Sequence, residues 1–149
     1  MDKVENEDDF QREFIKLIRS NGGHASNIES GLTSPGVPDI DYHLEITNNI
    51  ELKFVNGRHR RKNVIRSSQI KWFRDRISAG GMPLLSTYII KESGERIVGV
   101  YSGNMITKLS ELKHADEWAE VSGIFMQTGY AFGLLAVLKN PKLIYKNDV

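Results

Sequence analysis

Apolar residues recur at Phe10, Phe14, Leu17 and Ile18, with charged and polar residues between them. That is the stripe of a helix with one core-facing side. Asp8 or Asp9 can cap its start, and Asn21-Gly22-Gly23 stops it, so the helix is predicted to run to about Ser20. Residues 30–38, SGLTSPGVP, are turn formers and read as a loop. The pattern then changes to a period of two. Ile40 to Ile46 and Ile50 to Val55 read as a hairpin around Thr47-Asn48-Asn49, with Ile50, Leu52 and Phe54 on one face and Glu51 and Lys53 on the other. A second helix, capped by Ser67 or Ser68 and ended by Gly80-Gly81, has Ile70, Phe73 and Ile77 as its apolar side. Leu84 to Lys91 and Ile97 to Tyr101 read as strands about the turn Glu92-Ser93-Gly94-Glu95. Further helices are expected near Ile106 to Leu112 and Ala115 to Val121, while Gly129 to Leu138 fits helix or strand. This order predicts an α/β sandwich around a mixed sheet.

Composition narrows the class. A chain of 149 residues, 40% hydrophobic and 26% charged, suits one folded domain (1–149) rather than a disordered segment. It contains no repeat and no cysteine, which removes disulfides, thiolate zinc sites and thiol nucleophiles. The acidic start MDKVENEDDF lacks the apolar segment of a signal peptide, and the longest apolar stretch, Tyr130 to Leu138, is too short to cross a bilayer. The chain therefore reads as soluble and cytoplasmic, with no membrane partner. Its net charge of +1 hides an uneven distribution. Arg58, Arg60, Arg61, Lys62, Arg66, Lys71, Arg74 and Arg76 crowd one stretch against Asp75 alone, which predicts one cationic face. No phosphate-binding glycine loop, dinucleotide fingerprint or serine-hydrolase elbow is present, which weighs against a generic metabolic enzyme.

The segment that carries chemistry is GVPDIDYHLEITNNIELKF, residues 36–54. Asp39 stands where a loop enters a strand, and Glu51 shares a strand face with Lys53. Pairing the two strands can gather two hard oxygen ligands and a cation at one end of the hairpin. Mg²⁺ favours such oxygens, keeps several waters and needs only one or two carboxylates plus phosphate. Lys53 would add positive charge where phosphoryl transfer builds negative charge. The bland alternative is an amphipathic hairpin whose outer face happens to read Asp, Glu, Lys. Asp41 lies two residues beyond Asp39 on the same face and is its rival, and His43 continues that face as a surface histidine.

Pro38-Asp39 with Glu51-Leu52-Lys53 resembles the signature of the PD-(D/E)xK nuclease superfamily. Gly36-Val37-Pro38-Asp39, Ile50-Glu51-Leu52-Lys53 and a helix-opening Ser68-Gln69 resemble its VRR-NUC branch, with the small virus-type stand-alone nucleases and archaeal Holliday-junction resolvases as comparisons. The resemblance covers about residues 10–100. It implies a restriction-endonuclease-like mixed sheet flanked by helices, an αβββαβ core over about 8–102, and a C-terminal extension over about 103–149. It implies Mg²⁺, or Mn²⁺ in its place, held by Asp39, Glu51 and the Leu52 carbonyl, with Lys53 catalytic. It also implies an acid from the first helix, for which Glu13 is the match, and a role for Gln69 in orienting Lys53 or the phosphate. Family spacing favours Asp39 over Asp41, and Ser30 or Ser34 becomes a weak candidate for substrate contact. Arg58, Arg60, Arg61, Lys62 and Arg66 would then flank the metal and grip DNA phosphates. No aromatic interleaves that block before Trp72, which is expected in the core, so base stacking is not its purpose.

The function expected is a structure-selective DNA endonuclease acting on branched DNA as a homodimer. The alternatives are a nicking or restriction-like nuclease of ordinary duplex and a non-catalytic nucleic-acid-binding module.

Overall fold

The hairpin is the centre of the architecture. In the computed structural model, which describes residues 1, 4–28, 35–59, 65–129 and 132–146, its strands are β2 (Ile40–Leu44) and β3 (Ile46–Asn56). They join through Glu45 alone, at a left-handed φ of 65°. The expected turn at Thr47-Asn48-Asn49 is therefore absent. Thr47 and Asn48 belong to β3 and face His43 and Tyr42 across the ladder. This shift of the turn sets the register, pairing Ile40 with Ile50.

Around the hairpin, α1 (Glu7–Ser20), α2 (Ser67–Ser78), β4 (Leu84–Ile90) and β5 (Arg96–Ser102) follow the predicted pattern closely. The cap of α1 is Asn6, two or three residues earlier than expected, its side chain accepting from Asp9 N at 2.8 Å. Glu7, Asp8 and Asp9 then complement the positive helix end. Two strands are missing from the residue pattern, β1 (His24–Asn27), which the αβββαβ order implied without placing it, and β6 (Ile124–Gln127). Both have only four residues, too short for a periodic signal.

Among the described residues the strands form one mixed sheet of six, in the order β1-β2-β3-β4-β5-β6. Only β3 and β4 run parallel, and α2 makes the crossover between them. The first six elements thus follow the αβββαβ order. β4 is buried at every position, as a central strand covered on both faces must be.

Two apolar layers hold the sheet. On one face Phe10, Phe14 and Ile18 of α1 pack over Ile40, Ile50, Leu52, Phe54, Leu84 and Tyr88. On the other, Phe73 of α2 packs over Leu85, Ile89 and Tyr101. The residues after Ser102 add to both layers. A 3-10 turn (Gly103–Met105), α3 (Ile106–Ser110) and α4 (Ala115–Trp118) join the Phe73 side. The stretch left open between helix and strand is helical in α5 (Phe132–Lys139), which with α6 (Lys142–Tyr145) joins the α1 side. Tyr42 Oη donates to Leu138 O at 2.8 Å, tying this tail to the hairpin. Trp72 is partly buried against the second layer, with Arg76 over its ring. None of the described helices is long and apolar enough to cross a membrane.

Candidate active site

Alternation along β3 decides which layer each side chain enters. Ile50, Leu52 and Phe54 go to the α1 side, so Glu51 and Lys53 point to the α2 side, in register with Leu85 and Thr87 of β4. Both are buried, Glu51 completely and Lys53 with 5% exposure. A carboxylate and an ammonium taken out of water need partners, and both find them.

Asp39 arrives from the other strand. Extending the ladder one step past Ile40–Ile50 sets position 39 opposite position 51. There Asp39 N donates to Glu51 Oε1 at 3.2 Å, while Asp39 O accepts from Ile28 N at 2.8 Å. Gly36 brings the loop in. Its φ of +85° suits glycine, and a Cβ there would collide with the Ser68 carbonyl at the start of α2. The loop carrying Asp39 is thereby pressed against the end of the helix that carries Gln69.

Gln69 closes the arrangement. Its Oε1 accepts from Arg66 N at 2.9 Å, an N-terminal helix cap, and from Lys53 Nζ at 3.4 Å. Its Nε2 donates to Glu51 Oε2 at 2.7 Å. Gln69 was expected to orient Lys53 or the phosphate; it contacts Lys53 and also caps the start of α2. Lys53 Nζ lies 3.9 Å from Glu51 Oε2.

Burial and the neighbouring Asp39 carboxyl together push the Glu51 carboxyl from an ordinary 4.5 up to about 10, with Lys53 pulling the other way. The Asp39 backbone N–H also favours the ionised form, but it and Lys53 do not offset desolvation beside a second acid. Burial and the Asp39 carboxyl both favour the protonated form of Glu51.

The remaining predicted residues divide. Leu52 sends its side chain into the α1 layer, leaving its backbone carbonyl between Glu51 and Lys53. Glu13 does not join the group. It is half-buried on α1, the helix that covers the opposite face of the sheet, and no cluster of three metal-binding side chains forms among the described residues. Asp41 is exposed opposite Asn49, and His43 is exposed, its Nδ1 2.8 Å from Thr47 Oγ1. Arg66 is exposed at the start of α2, beside Gln69. Arg58 does not flank the group: it lies in the turn past the end of β3, and its guanidinium packs against Gly94 in the β4–β5 turn. Arg60, Arg61, Lys62, Ser30 and Ser34 lie outside the described residues.

What sequence reasoning missed are backbone donors. The Asp39 and Arg66 amides fix Glu51 and Gln69, and no side-chain motif records them.

No protein-family model and no curated protein matches the chain. Among solved structures it is similar to Hjc, a Holliday junction resolvase from the archaeal hyperthermophile Archaeoglobus fulgidus. The identity is 16% and the TM-score 0.43, over 64% of this chain and 75% of that one.

Proposed function

We propose that this chain is a divalent-metal-dependent endonuclease of the PD-(D/E)xK type that hydrolyses phosphodiester bonds in DNA, with branched DNA as its substrate. One observation carries the reading: the half-buried Asp39 converges with the buried Glu51 and Lys53, and Gln69 braces the group. A structural ion pair does not call for two acids crowded together in low dielectric. A hard cation does, because it neutralises both.

The donor set fits Mg²⁺ or Mn²⁺ on chemical grounds. Asp39, Glu51 and the Leu52 carbonyl would hold the ion, and its remaining positions would be filled by water and substrate. When bound it would supply the Lewis-acid charge that polarises a phosphodiester and acidifies water. Lys53 places an ammonium where negative charge builds on the phosphate oxygens, and Gln69 restrains it there before substrate arrives. The exposed Arg66 at the helix start is within the same neighbourhood for a flanking phosphate. Branched DNA and a homodimer follow from the resemblance of residues 36–54 to junction nucleases, since two symmetric nicks need two sites related by a two-fold axis.

The test is metal-dependent nicking of a four-way junction against a linear duplex of matched sequence, with the Lys53→Ala variant beside the parent. The parent should nick the junction with Mg²⁺ or Mn²⁺, and Lys53→Ala should lose about 10²–10³ in rate while still binding. Preference for the duplex would remove the branched substrate. No cleavage with any divalent metal would remove the enzyme.

A further inference from the structure

A groove of about 690 Å³ opens between α1 and the edge strand β1, away from Glu51. Arg12, Lys16 and Arg19 line it from the helix, Ser26 and Asn27 from the strand, and Asp8 is the acid among its lining residues. The three cations are spaced i, i+4, i+7, so they form one stripe, rising by about 6 and 4.5 Å. A stripe of this kind is often just a solvated helix face. Three observations set this one apart. The stripe faces a second wall rather than open water. Arg19 spans the gap, its Nη2 donating to Ala25 O at 3.1 Å, so its position is fixed. The strand wall also leads to the candidate active site: Asn27 pairs with Ile40, and the next residue, Ile28, bonds through its N–H to Asp39 O at 2.8 Å. Adjacent strands lie about 4.8 Å apart, so the strand wall ends near the Asp39 backbone, while Glu51 and Lys53 face the other side of the sheet and the edge strand β1 separates the two faces.

We infer that this groove seats the phosphodiester backbone of the substrate strand after it passes round the β1 edge from the candidate active site, with Lys16 and Arg12 on its phosphates and Ser26 and Asn27 as neutral donors. This rests on the nuclease reading and adds where the nucleic acid lies. An extended polyanion is the ligand that both the cationic wall and the path to Asp39 require. Lys16 is exposed and makes no ion pair among the described residues, so it is free to meet a phosphate. Arg12 is mostly exposed and pairs with Asp9, an exposed contact that a phosphate can replace.

The experiment measures binding apart from cleavage. Anisotropy of a fluorescein-labelled four-way junction is titrated in EDTA over a range of salt, for the parent, Lys16→Gln, Arg12→Gln/Lys16→Gln and the charge-conserving Lys16→Arg. Each lost phosphate contact should lower the slope of log K against log salt by about 0.9. The single variant should therefore fall by about one, the double by about two, and Lys16→Arg should match the parent. Melting temperatures check folding, and if the double variant fails to fold, Lys16→Gln decides alone. Slopes unchanged from the parent overturn the inference and leave the groove to a protein partner, while metal-dependent cleavage by that parent keeps the nuclease reading. A parent that binds no DNA overturns both. Groove-dependent binding without cleavage under any metal supports the groove and refutes the nuclease.

Discussion

Glu51→Gln changes one buried atom and should invert the usual effect of removing a charged residue from a site. Glu51 is fully buried and its carboxyl is pushed up to about 10, against an ordinary 4.5 in the unfolded chain. The folded protein therefore keeps a proton that the unfolded chain releases as pH rises above 4.5. Stability falls over that window by about 1.4 kcal/mol per pH unit, and the fall ends only near the folded value. Between pH 5 and pH 7 this one group costs about 3 kcal/mol, which for a chain of this size is roughly 6–12 °C in Tm. Glutamine imitates the protonated acid. Its carbonyl can accept from Gln69, and nothing titrates. Urea unfolding followed by the fluorescence of Trp72 and Trp118, in EDTA at pH 5, 6, 7 and 8, gives the difference directly. The variant should match the parent near pH 5 and exceed it by about 3 kcal/mol at pH 7. Adding Mn²⁺ should raise the parent's Tm, more strongly at higher pH as the ion displaces the proton, and leave the variant's unchanged. Parallel stability profiles for the two proteins would refute the buried, protonated carboxyl and the acid pair behind it.

Other changes test separate parts of the arrangement. Gly36→Ala should lose at least 1–2 kcal/mol in urea unfolding, because alanine is strained at φ +85° and its Cβ meets the Ser68 carbonyl; nicking should fall with it as the Asp39 loop lifts from α2. Gln69→Leu leaves the Glu51 carboxyl and the Arg66 amide without their partner, so stability should drop by about 1–3 kcal/mol and Mn²⁺ affinity, read by calorimetry, by about 10–100-fold. Tyr42→Phe removes the buried bond to Leu138 O and should cost about 1–3 kcal/mol without altering nicking by the folded fraction.

Much of this protein could be read from its residues in order. The stripe of Phe10, Phe14 and Ile18, the alternation through Ile50, Leu52 and Phe54, and the glycines after each long helix identify α1, β3 and α2, because those patterns repeat over many residues. Glu51 and Lys53 were legible because a spacing of two puts both on one strand face, whereas Asp39 was singled out over Asp41 by the resemblance of Pro38-Asp39 to the nuclease signature.

What local pattern did not contain was register. A turn at Thr47-Asn48-Asn49 pairs Ile46 with Ile50 and sets Glu51 opposite Glu45, far from Asp39. The observed turn at Glu45 slides the strands by six positions in paired sum and puts position 39 opposite 51. No single residue announces that choice. It follows from burying Ile40, Tyr42 and Leu44 under α1 together with Ile50, Leu52 and Phe54. The layer of each helix is likewise a tertiary decision. Packing α1 on the Leu52 face takes Glu13 away from the acid pair, and packing α2 on the other face brings Gln69 to it. The sequence named the chemical groups; long-range burial chose which of them meet, because whole faces of helix and strand must leave water together.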